Sequence, residues 1–198
     1  ASFLFDDATR NNIRAQLKSK LEFLKRKREK GEPLMYAFYD TGCSRSIMGH
    51  RSPLAAYLTN KKNLVNPGST ISLSGQSMKW MESGELTPGN EWVTADGLSF
   101  DLYAGIAAAK RGITAIIDYD YQGNNRSFLY DKTTKTATPL IDRGKQAILE
   151  VPMDLFLGRE APVEIGLNGN SSMQRDIDRF WSGWDSDKLD VWGTREDH

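Results

Sequence analysis

Turn signals cut everything after the first thirty residues into short pieces, and that division limits the fold more than any other feature of the chain. Gly31 and Pro33, "NPG" at 66–68, "TPGN" at 87–90, "QGNN" at 122–125 and "KTTK" at 132–135 leave room only for brief elements between them. With 17 Gly and 7 Pro in 198 residues, many turns and short strands follow. The runs "LMYAFY" (34–39), "STISLS" (69–74), "ITAIIDYDY" (113–121), "RSFLYD" (126–131), "TATPL" (136–140) and "QAILEV" (146–151) read as strands. The β-branched third run has the character of a central strand.

Helices are few. "DDATRNNIRAQLKSKLEFLKRKREKG" has a capping acid at Asp6 or Asp7, apolar residues Ile13, Leu17, Leu21 and Leu24 at helical spacing, and the Gly31 stop. "SFDLYAGIAAAKRG" sets Leu102, Ile106 and Ala109 on one helical face, closed by Gly112. "SRSIMGHRSPLAAYLTNKKN" (44–63) is expected as short helical pieces broken at Pro53, and "SGELTPGNEW" as loop. A last helix begins near Ser172 and carries Met173, Ile177, Phe180, Trp181 and Trp184 near one face, with Trp192 beyond. The expected class is α+β: an N-terminal basic amphipathic helix (1–31), a core domain (32–170) with a mostly antiparallel sheet of five or six strands and one mid-chain helix, and a C-terminal aromatic helix with its tail (171–198).

Net charge is zero, yet residues 1–62 carry 13 Lys/Arg against 6 Asp/Glu and the remainder 13 against 20. Oppositely charged halves suit self-association. The cluster Lys25, Arg26, Lys27 and Arg28 matches the helix macrodipole; nucleic acid could use it, but no interleaved aromatic would stack bases, and that partner is not favoured. One Cys and two His are too few for a structural zinc site, and one Cys forms no internal disulfide. No apolar run reaches bilayer length, and the opening "ASFLFDDATRNN" lacks the basic start of a signal peptide. The expectation is a protein made in the cytoplasm, without membrane contact, metal or cofactor, and open to incorporation into a particle.

Chemistry, if present, concentrates in "YAFYDTGCSRSIMGH" (36–50). "FYDTGCSRSIM" resembles the motif of retroviral-type aspartic proteases, which implies Asp40 as the acid that pairs with its twin from a second subunit, with Thr41 and Gly42 shaping the loop. That family also has a later hydrophobic-Gly-Arg element, matched loosely by "LFLGRE" (155–160). "LMYAFYDTGCSRSIM" with "GSTISLS" resembles ADP-ribosyltransferases instead, implying roles for Ser72 and Glu150, although Ala37 stands where their Arg or His would be. A cysteine hydrolase would use Cys43 with His50 as base and Arg45 and Arg51 nearby. Asp118 and Asp120, on one face of the third strand, suggest a cation only if other oxygen ligands join them.

No Walker loop, Gly-x-Gly-x-x-Gly, His-Glu-x-x-His or Gly-x-Ser-x-Gly occurs. The sequence therefore leans toward a non-catalytic assembly subunit, of the kind found in phage or virus particles. Leu17, Leu21, Leu24, the basic turn Lys25–Arg28 and the aromatics Phe180, Trp181, Trp184 and Trp192 are its expected interface.

Overall fold

The computed structural model describes residues 5–64, 69–71, 77–144 and 147–157. In chain order the elements are α1 (Asp7–Glu29), β1 (Tyr36–Asp40), β2 (Ser46–Gly49), a 3-10 turn (Pro53–Tyr57), β3 (Thr59–Asn63), β4 (Ser69–Ile71), β5 (Ser77–Glu85), β6 (Glu91–Ala95), β7 (Asp101–Ala104), α2 (Gly105–Lys110), β8 (Ile113–Ile116), β9 (Phe128–Asp131), β10 (Thr136–Pro139), β11 (Ile141–Asp142), β12 (Leu149–Pro152) and a second 3-10 turn (Met153–Phe156). The α+β class holds. The chain forms two compact units, whose described parts are 5–34 with 112–142, and 35–111 with 143–157.

The first unit is a helix on a meander. Asp6 caps α1 by accepting from the Thr9 N–H at 2.7 Å. At the other end Gly31 takes φ +73°, its N–H bonds the Arg28 carbonyl, and the Glu32 N–H bonds the Lys27 carbonyl. Those two bonds make a Schellman stop, which needs the left-handed residue that glycine supplies. Ile13, Leu17 and Leu24 are buried, so two of the three α1 leucines expected at an interface, Leu17 and Leu24, lie in the protein's own interior. Lys27 is buried too, over the Phe23 ring and within 3.9 Å of Glu32.

Strands β8, β9 and β10 pair antiparallel in the order β10-β9-β8. Among the described strands, the run expected as a central strand thus lies at an edge. The opposite edge, β10, is closed by a side chain: Gln16 Nε2 donates to the Lys135 carbonyl and Gln16 Oε1 accepts from the Ala137 N–H, both at 2.9 Å. A primary amide presents one donor and one acceptor on adjacent atoms, as a neighbouring strand would, and so satisfies groups that would otherwise lie open.

The second unit is one mixed sheet in the order β12-β1-β7-β2-β6-β5-β3, with β4 also on β5, larger than the five or six strands expected. Antiparallel pairings dominate, but β1 with β7 and β2 with β6 are parallel. Of residues 44–63 only Pro53–Tyr57 is helical, as a short 3-10 helix, and strands β2 and β3 flank it. "SGELTPGNEW" is the hairpin between β5 and β6 rather than free loop. Asp101–Ala104 is strand, and only Gly105–Lys110 of the expected mid-chain helix is helical.

Packing decided these cases against local pattern. β2 is buried at all four positions, and Trp92, Tyr103, Met48 and Val151 have no more than 1% exposure. Strands covered on both faces lose the alternation that marks a half-exposed strand. The expected C-terminal helix lies outside the described residues.

Candidate active site

β1 and β2 follow one another after five residues, yet they are not neighbours. β7 enters between them, parallel to β1 (Phe38 beside Leu102, Asp40 beside Ala104) and antiparallel to β2 (Ile47 beside Leu102). The Asp40-to-Arg45 connection therefore arches across the end of β7. Three side-chain bonds hold β2 and the turn after it to β7. The Ala104 N–H donates to buried Ser46 Oγ at 3.0 Å, and Asp101, at the far end of β7, accepts from the Gly49 N–H at 2.9 Å and from Ser52 Oγ at 2.7 Å. Burial pushes the Asp101 carboxyl up, and the Ser52 and Gly49 bonds offset part of that.

Asp40 ends β1 half-buried, and its Oδ1 accepts from the Gly42 N–H at 2.7 Å. A Cβ on Gly42 would stand 3.2 Å from that same oxygen, so a side chain there would crowd the carboxylate. Gly105, directly after β7, is packed more tightly: a Cβ would come to 2.6 Å from Tyr39 Cζ. Tyr39 cannot easily yield, because it stacks on Tyr103 at 6.3 Å, and Tyr103 packs in turn on Trp92 and Phe156. Two glycines and a crossed strand thus set the position of one carboxylate.

Alternation along β1 puts Tyr36, Phe38 and Asp40 on one face and Ala37 and Tyr39 on the other. On the Asp40 face, Phe38 meets Phe100 at 5.2 Å between ring centroids, and Phe100 is 47% exposed. An apolar surface therefore adjoins the carboxylate. Its partner segment, Phe100 to Gly105, escaped sequence reading because "DLYAGIAAAK" fits a helical period. The signal that could have found it is the apolar "LYA" ending in glycine.

The thiol reading is not supported by the geometry. Cys43 packs on Ile47, Val93 and Ala95, and burial, with a smaller contribution from the Asp40 charge, pushes its thiol up, away from the nucleophilic thiolate. His50 lies at the opposite end of β2, about 13 Å of strand away, with Nδ1 3.9 Å from Glu82 Oε1. Arg45 stands over the Trp80 ring at 5.5 Å and 3.9 Å from Glu91.

The transferase reading finds no anchor among the described residues. Ala37, at the anchor position, is fully buried between Asp101 and Val151. Glu150 sits beside Phe38 on β12 in an ion pair with Arg143, which lies 3.9 Å over the Tyr36 ring. Burial pushes the Glu150 carboxyl up, partly offset by Arg143. Ser72 lies outside the described residues, as do Phe180, Trp181, Trp184 and Trp192.

The acids of the third expected strand are engaged as well. β8 ends at Ile116; Asp118 pairs with fully buried Arg126, and Asp120 accepts from the N–H groups of Gln122 and Asn124 and from Asn124 Nδ2. Among the described residues no group of three His, Cys, Asp or Glu could hold a metal, and no helix is long and apolar enough to cross a membrane. Comparison of the chain with family models, with curated proteins and with solved structures finds no match.

Proposed function

We propose that the protein is one half of a retroviral-type aspartic protease, active when two copies bring their Asp40 carboxylates together. The observation that supports this most is the placement of Asp40: it ends a strand beside a crossed strand that runs directly into Gly105, and its oxygen is held by the backbone of Gly42. The family's later hydrophobic-Gly element corresponds in this reading to Leu102–Gly105, not to "LFLGRE", of which only Leu155–Leu157 are described. Ile106 stands where that element has Arg.

Two carboxyls a few ångströms apart cannot both ionise, so the pair shares one proton. The ionised member takes a proton from water as the water oxygen attacks the peptide carbonyl carbon, and the protonated member donates to the carbonyl oxygen. The tetrahedral diol then collapses: a proton passes to the amide nitrogen, the C–N bond breaks, and acid and amine leave. No metal or cofactor takes part in these steps. Phe38, two residues before Asp40, and the Phe100 ring packed on it supply apolar surface on the same face of the sheet.

The test is proteolysis of a denatured protein mixture by wild type and by Asp40→Asn, with new termini identified by mass spectrometry. Cleavage by wild type alone is expected; cleavage by neither, or equally by both, would refute the reading. The assembly-subunit reading draws on the charge split between the two halves of the sequence. A salt-sensitive oligomer without Asp40-dependent cleavage would favour it.

A further inference from the structure

We infer that a cationic pocket on the Asp40 face of the sheet is a remote binding site for an acidic side chain of the polypeptide substrate. The inference rests on the protease reading for its substrate, but the pocket itself is a separate observation.

A cavity of about 390 Å³ is lined by Arg45, Lys61, Lys62, Glu85 and Glu91, with Asn60 beside them. Three cations face two carboxylates, and both carboxylates are engaged: Glu85 accepts from Asn60 Nδ2 at 3.1 Å, and Glu91 lies 3.9 Å from Arg45. Among the described residues neither Lys61 nor Lys62 has an ion-pair partner. One positive charge is left over. It can be balanced by one more carboxylate, whereas a polyphosphate chain would also meet Glu85 and Glu91.

Strand register fixes where this pocket lies relative to Asp40. Asp40 is level with Ala104, Glu91 pairs with Glu85, and Glu85 pairs with Thr59 on β3. Arg45, two residues before Ile47, stands beside the end of β7, which links the two sets into one row across the sheet. The faces agree as well: Ile47 pairs with Val93, so Glu91 shares the face of Ile47, Leu102, Phe38 and Asp40. At about 4.8 Å per strand, Glu91 lies roughly 14 Å and Glu85 roughly 19 Å from Asp40 along this row. An extended peptide advances about 3.3 Å per residue. A chain with its scissile bond at Asp40 and running along the row therefore brings a residue about four to six positions away over the pocket. β3, the sheet edge that presents Lys61 and Lys62, is exposed along its whole length, so the pocket is open to that chain.

The test has two arms. In the first, synthetic dodecapeptides with an apolar pair at the cleavage position carry Glu, Gln or Lys at each site three to seven residues away, on either side. Wild type is expected to prefer Glu over Lys at the sites reaching the pocket, by about fivefold in kcat/KM per cation engaged. Lys62→Glu, on the exposed edge, should reverse that order. In the second, the inactive Asp40→Asn protein is titrated with the fluorescent Glu peptide at two salt concentrations, with circular dichroism confirming that the variants are folded. Salt and Lys62→Glu should each weaken binding.

Asp40-dependent cleavage without a charge preference would overturn this inference and leave the protease reading standing. Tighter binding of a single-stranded oligonucleotide than of the Glu peptide would overturn it in favour of nucleic acid. Absence of both cleavage and salt-sensitive peptide binding would remove both.

Discussion

Replacing Gly105 by Ala adds one methyl group and should cost far more than a methyl normally does. The new Cβ would lie 2.6, 2.7 and 2.8 Å from Cζ, Oη and Cε2 of Tyr39, well inside contact distance for all three atoms. Overpacking a filled site costs about 1 to 3 kcal/mol. Ala in place of Gly at the first position of α2 returns less than about 1 kcal/mol. A net loss of about 1 to 2 kcal/mol follows, or roughly 2 to 8 °C in Tm for a chain of this size. Urea unfolding followed by tryptophan fluorescence measures it, since Trp80 and Trp92 belong to this unit. Tyr39 is the obstacle, so Tyr39→Val should remove most of the penalty: the double variant should be more stable than the sum of the two single effects by about 1 kcal/mol or more. Strict additivity would refute it. Because Tyr39 precedes Asp40, the proposed peptidase activity should fall more steeply than stability in Gly105→Ala, since a misplacement of about 1 Å can cost on the order of a hundredfold in rate.

Two other outcomes are expected. Burial raises the carboxyls of Glu22, Asp101 and Glu150, so the native state binds their protons more tightly than the unfolded chain does. Their ionisation therefore costs stability, which should decline as pH rises from near the unfolded carboxylate values, about 4, through the raised native ones. Unfolding free energies measured from pH 4 to 7.5 would contradict this by climbing across that window. Gln16→Leu keeps a helix former in α1 but leaves the Lys135 carbonyl and the Ala137 N–H without the amide. A loss of about 1 to 3 kcal/mol and concentration-dependent association through the opened β10 edge are expected; an unchanged urea midpoint with a monomeric light-scattering signal would argue against both.

How far the sequence revealed this molecule depends on where local signals and packing agree. α1 was legible to within a residue because cap, stripe and Gly31 stop are all local. β1, β9, β10 and β12 were legible because turn residues bound each run. β7 was not: Leu102, Ile106 and Ala109 obey a helical period, and only insertion between β1 and β2 makes Asp101–Ala104 extended. β2 was hidden for the related reason that all four residues are buried, which removes the alternation of a strand. Asp40 could be nominated from its motif, but what holds it depends on Gly105, a residue 65 positions later whose role is set by contact with Tyr39. The pocket formed by Arg45, Lys61 and Lys62 was equally out of reach, since strand order alone brings β2 beside β6 and β6 beside β5.

The central claim is that catalysis needs one Asp40 from each of two chains, and mixing tests it most directly. Wild type and Asp40→Asn are refolded together in varying proportion at constant total protein, and peptidase activity is plotted against the wild-type fraction. If the active unit is a symmetric pair in which both carboxylates act, activity follows the square of that fraction, and an equal mixture retains roughly a quarter of the wild-type rate. An equal mixture that retains half would mean that a single chain is competent by itself, and the two-chain account would be wrong.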